Sequence, residues 1–152
     1  MRLIRETIAA VACAFGIGVV WQSWQRLPAQ IPTHFAGNGR PDGYGPPSTL
    51  WLVPAIALFL YSMLTIFSFF PQSFNYPVKV TDENRVHVQR IAVAMLGWLK
   101  AELMGTLAYI TWATVRTAKG EANGLGLAFL PILLAMVGLT LTAGIVMTRR
   151  AG

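Results

Sequence analysis

The stretch LWLVPAIALFLYSMLTIFSFF, residues 50 to 70, decides the fold of this protein. It carries no charged residue, and it is long enough to cross the hydrocarbon core of a bilayer, which takes about 20 apolar residues in a helix. Of the 152 residues in the chain, 55% are hydrophobic and only 12% are charged, and the mean hydropathy is +0.53. Soluble domains usually carry about 25% charged residues. The composition therefore predicts an integral membrane protein.

Three further apolar runs accompany this stretch, so four spans are predicted, at about 7–24, 50–70, 91–112 and 125–147. The third run is the least apolar, because Lys100 and Glu102 lie near its middle. A signal peptide or a lipoprotein leader ending at Cys13 is an alternative interpretation of the first run. We reject it, because the apolar part before Cys13 is too short and the whole run is long enough to span. We expect one domain, 1–152, folded as an all-α bundle of four transmembrane helices.

The basic residues predict the orientation of the bundle, since Lys and Arg collect in cytoplasmic loops. The chain ends and the loop after the second span carry Arg2, Arg5, Lys79, Arg85, Arg90, Arg149 and Arg150. The opposite side carries fewer: Arg26, Arg40, Arg116 and Lys119. Both termini are therefore predicted to be cytoplasmic, and the loop 25–49 to be extracytoplasmic. The net charge of +6 also fits nucleic-acid binding, but these residues sit at the ends of apolar runs, so the expected partner is the lipid bilayer and no nucleic acid.

The outer loop contains IPTHFAGNGRPDGYG, residues 31–45, which differs in character from the rest of the chain. Its prolines favour extended backbone, and its Asn-Gly and Asp-Gly pairs are strong turn signals. We expect a compact loop in which Ile31 and Phe35 rest on the helix ends. If IPTHF is a strand, His34 lies on the opposite face from these two side chains.

His34 and Asp42 are the residues of this loop with the clearest chemical potential. A histidine and a carboxylate can bind a metal or form a catalytic dyad. The alternative is that Asp42 caps a turn and His34 bonds to loop backbone. A zinc site needs three or four protein ligands, and the other histidine, His87, is predicted on the opposite side of the membrane. No Ser or Cys stands in an activating motif. We therefore predict no metal, no cofactor, no catalytic residue and no enzymatic activity.

The segment LPAQIPTHFAGNGRPDGYGPPSTLWLVP resembles the signature of a bacterial membrane domain of unknown function found at the N-terminus of SdpI-type immunity proteins. The resemblance extends over about residues 7–115. The residues that carry it are Leu27, Pro28, Ile31, Pro32, His34, Phe35, Gly39, Pro41, Asp42, Gly43 and Pro54. SdpI-type proteins protect a producing cell from a secreted toxic peptide, and they usually have more spans than the four predicted here. The resemblance implies a multi-pass protein of the bacterial cytoplasmic (inner) membrane, with this motif as a partner-binding or structural element.

Lys100 and Glu102 pose a separate question, because a charge near the centre of a span costs on the order of 3 kcal/mol. Two positions differ by about 200° around a helix, so these side chains point to nearly opposite faces and do not pair with each other. Three interpretations stay open. Glu102 is protonated, Lys100 extends to an interface, or a second chain supplies the partners, for instance Lys100 to Glu102 across a homodimer.

Three classes of function compete at this point. The first is a non-enzymatic envelope protein of the SdpI-like type that binds a peptide or protein through the outer loop. The second is an accessory subunit of a larger membrane complex, in which the charges of the third span contact another chain. The third is a small transporter that uses Glu102, although the sequence shows no inverted repeat or broken helix pair. The expected partners are thus lipid, a peptide ligand, and a homo-oligomer or larger complex.

Overall fold

The computed structural model describes residues 1–152 and consists of four long helices and one β-hairpin. The helices are α1 (Arg2–Ser23), α2 (Leu52–Phe67), α3 (Arg85–Ala118) and α4 (Phe129–Ala151). The strands β1 (Ile31–Phe35) and β2 (Pro41–Gly45) lie between α1 and α2. Short 3₁₀ turns cover Trp24–Arg26, Pro47–Trp51 and Pro71–Ser73. All four helices are long and apolar enough to cross a membrane when α2 is taken together with the 3₁₀ turn Pro47–Trp51 before it, which agrees with the four predicted spans.

The bounds of the helices differ from those of the predicted spans. α3 extends well beyond 91–112 at both ends, because its apolar centre continues into polar turns that remain helical in water. α4 begins at Phe129 instead of residue 125, because Gly124 and Gly126 adopt positive φ angles that a helix does not allow. The segment that connects α3 to α4 therefore forms a loop at the end of the bundle.

The long helix α3 is the centre of the bundle and packs against each of the other three helices. α1 runs parallel to α3, while α2 and α4 run antiparallel to it. The contact between α1 and α3 is made by small side chains, with Ala9 and Cys13 buried against Ala101 and Met104. Small residues let two helix backbones approach closely, which is how helices associate in lipid. α4 packs mainly against α3, and most of its surface faces outward.

Both chain ends lie at the end of the bundle where α2 connects to α3. The guanidinium of Arg2 lies over the ring of Phe69, 5.3 Å from its centroid. At the other terminus, Gly152 lies against the side chain of Val78. The hairpin and the α3–α4 loop occupy the opposite end.

α3 begins later than the sequence of the α2–α3 loop predicts. The polar run starting at Thr81 predicts a cap at Thr81 or Asp82, but the helix begins at Arg85 and Asn84 is its N-cap. Instead, the backbone N–H of Thr81 donates to Asn84 Oδ1 at 2.8 Å, so this bond closes a turn before the helix.

In the same loop, burial raises the pKa of the Tyr76 phenol, whose hydroxyl donates to the Pro71 carbonyl at 2.6 Å.

The hairpin is anchored to the helix ends by its first strand. Ile31 is fully buried in a cluster with Val20, Leu50 and Val115, which come from α1, the turn before α2, and α3. This confirms the expected contact of Ile31, while Phe35 is only half-buried. The predicted all-α fold thus needs one amendment, a two-stranded antiparallel sheet held on the bundle.

Candidate functional site

The hairpin reverses direction at the predicted Asn-Gly turn. The Gly39 N–H donates to the Ala36 carbonyl at 2.8 Å, and the Arg40 N–H donates to Asn38 Oδ1 at 3.0 Å. Gly39 has a φ angle of 76°, which glycine adopts readily. The turn at Asn38 and Gly39 is therefore confirmed.

The second turn signal, Asp42-Gly43, is not a turn but part of β2. Gly43 lies opposite His34 in the strand pair. A Cβ at Gly43 would lie 3.1 Å from the Cβ of His34, so a larger residue would crowd this position. The close approach of the strands thus favours glycine at this position, which is a second common reason for glycine in a sheet.

The hairpin tip is docked on the α3–α4 loop by backbone contacts. The Leu125 N–H donates to the Gly39 carbonyl at 2.8 Å, and the Tyr109 hydroxyl donates to the Leu125 carbonyl at 2.8 Å. A Cβ at Gly39 would lie 2.6 Å from the carbonyl oxygen of Gly126, and one at Gly124 would overlap the carbonyl of Gly39. Since only glycine fits on both sides, the two loops form one fixed surface.

His34 and Asp42 are brought together on the outward face of this surface. His34 Nδ1 donates to Asp42 Oδ1, so each is the partner of the other, and the predicted separate bonds to loop backbone are wrong. The side chains are 72% and 49% exposed, and neither contacts the core. No group of three His, Cys, Asp or Glu side chains suited to a metal ion occurs in the chain. The pair is therefore an exposed polar feature that the strand register alone positions.

The other motif residues support the shape of the hairpin. Pro32 is buried and pairs with Tyr44 across the strands, while Pro41 opens β2 opposite Phe35. Together with Gly39 and Gly43, these residues explain the motif by packing and backbone geometry. His34 and Asp42 bond to each other across the strands and present their side chains to solvent, which singles them out as the binding candidates. Tyr44, also well exposed, lies beside them on β2.

The structure corrects the interpretation of Lys100, which is 2% exposed and paired within its own chain. Lys100 Nζ donates to both carboxylate oxygens of Glu6, at 2.8 and 2.6 Å, and to Thr65 Oγ1 at 2.9 Å. It also lies 4.7 Å from the ring centroid of Tyr61. Lys100 therefore neither extends to an interface nor needs a second chain, and both of those expectations for it are wrong.

Glu6, the partner of Lys100, is a residue that the sequence interpretation missed. The predicted first span begins at about residue 7 and leaves Glu6 outside the membrane, whereas α1 begins at Arg2 and includes it. Because α1 and α3 are parallel, the start of α1 lies beside the part of α3 that holds Lys100. An acidic residue one turn inside a helix, in a chain with one unpaired intramembrane lysine, is the signal that could have identified it.

The pairing also shows that Lys100 lies off the centre of the bundle. The middle of α1 is near Cys13, whose Sγ donates to Met104 Sδ at 3.2 Å. Met104 is one helical turn beyond Lys100, about 6 Å along the axis. Lys100 is therefore displaced toward the end that carries both termini, where Glu6 meets water more easily.

Arg5 is a second basic residue buried at this level of the bundle, with 8% of its surface exposed. Its guanidinium lies 6.0 Å from the ring centroid of Trp98, and its side chain lies against Gly97. A Cβ at Gly97 would come within 2.9 Å of Arg5 Nε. Gly97 thus creates the space that lets α1 place an arginine against α3.

Glu102 lies about 3 Å nearer the centre of the bundle than Lys100 and has no cation beside it. Thr140, the middle residue of α4, donates its Oγ1 hydrogen to Glu102 Oε1. The second oxygen, Oε2, is buried and has no hydrogen-bond partner, the only side-chain atom of the chain in that condition. Lys100 and Glu102 therefore face different helices, as their spacing predicts.

These features define a class, a multi-pass membrane protein with four helices and a docked hairpin at one end. Comparison with known families gives a matching result for one part of the chain. Residues 9–58 match a family described as a domain of unknown function, DUF1648. The match runs from α1 through the hairpin into α2, so it includes the motif but ends well before residue 115.

One relative extends the similarity without adding a function. An uncharacterized protein of Archaeoglobus fulgidus is 26% identical over an alignment of 96 residues, and the match covers 58% of this chain and 51% of that protein. The chain thus spans about half the length of this relative. No solved structure matches the chain.

Proposed function

We propose that this protein is a non-enzymatic receptor in the membrane that binds a peptide or protein partner through the docked hairpin. The observation that carries the proposal is the hydrogen-bonded pair His34 and Asp42, held on the outward face of a hairpin whose other motif residues are used for packing. Exposed Tyr44 adds an aromatic surface next to the pair. Aromatic and charged side chains on a preformed surface are the groups that usually provide binding energy at interfaces.

Binding suits this pair better than catalysis does. A general base acts best in a site that excludes water, where its electrostatic effect is strong. His34 and Asp42 are open to solvent, so their interaction with a reacting group would be screened. A partner that covers the hairpin would remove that water and strengthen the same hydrogen bonds.

The proposed setting is the bacterial cytoplasmic (inner) membrane, with the hairpin on the extracytoplasmic side. The excess of basic residues at the end with both termini supports this orientation. The ring centroids of Trp24 and Trp51 are 5.9 Å apart at the hairpin end of the bundle. Aromatic side chains at this end fit a membrane–water interface. The motif's resemblance to SdpI-type proteins supports an immunity role, in which the partner is a secreted toxic peptide.

Labelling of single cysteines tests the orientation. We expect a membrane-impermeant maleimide to label Gln30→Cys in intact cells and to label Gln72→Cys only after lysis, because the two exposed positions lie at opposite ends of the bundle. The native Cys13 is buried against Met104 and serves as the unlabelled background. Labelling of Gln72→Cys alone in intact cells would show the opposite orientation.

Photo-crosslinking from the hairpin tests the binding proposal. With benzoylphenylalanine in place of Tyr44, we expect a discrete crosslinked product in the host membrane, and we expect His34→Ala or Asp42→Asn to reduce it about tenfold, since exposed hot-spot contacts of this kind contribute roughly 1 to 2 kcal/mol. Thermal stability should change by less than about 1 kcal/mol, because the pair is solvent-exposed.

The matched control for this experiment is Asp82→Asn, which removes an exposed carboxylate paired with Arg85 at the other end of the bundle. It should leave the crosslinked product unchanged. An equal yield from His34→Ala, Asp42→Asn and the parent protein would contradict the proposed role of the pair.

A second candidate function, accessory subunit of a larger membrane complex, is favoured by α4. This helix packs mainly against α3 and leaves most of its apolar surface without a protein neighbour. Such a surface fits lipid as well as another helix. Co-purification with a fixed partner in mild detergent, lost on replacing outward α4 residues such as Leu134 or Leu139, would support the subunit over the receptor.

A further inference from the structure

A cavity of about 920 Å³ lies between α1, α3 and α4. Its walls are mainly apolar and include the aromatic rings of Trp98, Tyr109 and Phe129, and Ile8 closes it on the side of α1. The α3–α4 loop lines its far end through residues 125–128. Cavities of roughly 300 to 1,000 Å³ are typical of sites for small molecules. A spanning helix does not fit along this cavity, because the loop lines the end through which the helix would have to leave.

Glu102 is the only charged residue that lines this cavity. Its Oε1 accepts a hydrogen bond from Thr140, but its buried Oε2 accepts none. A buried polar atom without a partner costs free energy, and a ligand that supplies a donor recovers it. In this conformation Oε2 has almost no exposed surface, so the carboxylate must turn toward the cavity before a ligand can donate to it.

The missing group is a hydrogen-bond donor, and its surroundings favour a cation. Lys100, the cation nearest in sequence, is already bound to Glu6 and Thr65 on the other side of α3. The stacked rings of Tyr109 and Phe129, whose centroids are 5.4 Å apart, form the apolar wall farther along the cavity. The remaining wall is apolar and suits a hydrocarbon body.

We propose that this cavity binds a lipophilic amine, an apolar molecule with one ammonium group that pairs with the carboxylate of Glu102. The ammonium pairs with the carboxylate at the centre of the bundle, and the hydrocarbon body fills the space toward Tyr109 and the α3–α4 loop. Such molecules reach the cavity from the bilayer, since it is open between α1 and α4. The site is separate from the hairpin, and its test does not depend on the proposed receptor function.

Gly105 provides a way to block the cavity without changing Glu102. It lines the cavity one turn from Glu102, and a Cβ at this position would meet no atom within 4 Å. A leucine here is expected to point into the open space, and the helix accepts it because leucine is a better helix former than glycine.

Calorimetric titration with 1-adamantylamine tests the proposal on the protein in phosphatidylcholine nanodiscs, with empty nanodiscs subtracted. We expect saturable binding to the parent protein. Glu102→Gln keeps the bond to Thr140 but loses the charge, and it should weaken the affinity by about tenfold or more. Gly105→Leu should abolish binding. The alcohol 1-adamantanol, which has the same shape, should bind at least about tenfold more weakly than the amine.

The matched control is Glu83→Gln, the same change at an exposed carboxylate before α3, which should bind the amine like the parent. Thermal unfolding confirms that each variant is folded. Binding by the parent no greater than by empty nanodiscs, equal affinity of Glu102→Gln and the parent, or full binding by Gly105→Leu would each overturn the proposal. Equal affinity for the alcohol and the amine would also overturn it, because the cavity would then hold apolar matter without using the carboxylate.

Discussion

Replacing Glu6 with leucine is expected to destabilise the folded protein by about 3 kcal/mol or more, the scale found when one partner of a buried ion pair is removed. The reason is that Lys100 is almost fully buried and would keep only Thr65 and the ring of Tyr61 as partners. Lys100→Met should cost less, because Glu6 is 28% exposed and can reach water. Thermal unfolding in detergent, followed by circular dichroism, measures both.

The double variant decides whether the pair is the cause. Glu6→Leu with Lys100→Met leaves no unpaired charge, so we expect it to be more stable than Glu6→Leu alone. Lys119→Met, at the exposed end of α3, is the control for loss of a lysine charge and should unfold like the parent. A double variant no more stable than Glu6→Leu would show that the two charges do not depend on each other.

Gly124→Ala is expected to cost about 3 kcal/mol and to detach the hairpin from the α3–α4 loop. Two effects combine: Gly124 has a φ angle of 131°, which strains any other residue, and an added Cβ would overlap the carbonyl of Gly39. That carbonyl accepts the hydrogen bond from the Leu125 N–H. Faster amide hydrogen exchange at Leu125, together with a lower unfolding temperature, is the expected result.

Two glycine controls separate the effect of backbone strain from the effect of steric overlap with the added Cβ. Gly120→Ala shares a positive φ angle but meets no atom within 4 Å, so it should cost only about 1 kcal/mol. Gly18→Ala lies in α1 with open space around it and should be neutral or slightly stabilising. Gly124→Ala as stable as Gly120→Ala would mean that the loop contact adds nothing to stability.

The candidate hairpin site was accessible from the sequence only in part. Composition and turn signals predicted a compact loop, and the order of Ile31, His34 and Asp42 marked its main residues. The local sequence did not predict the strand register. The Asp42-Gly43 pair indicates a turn, but in the structure it is part of the strand β2. The register, set by packing of Ile31 in the core, is what brings His34 and Asp42 into contact.

The sequence by itself predicts a membrane protein with four spans, because the length of an apolar run and its lack of charge are local properties of the sequence. Only the tertiary structure decided which partners the charged side chains of α3 have. Lys100 and Glu6 are far apart in the chain and become partners because the alternating helix directions place α1 parallel to α3. Glu102, two residues away, faces α4 and is left with one free oxygen. Pairing across a helix bundle depends on relative depth and rotation, and neither is a property of any single span.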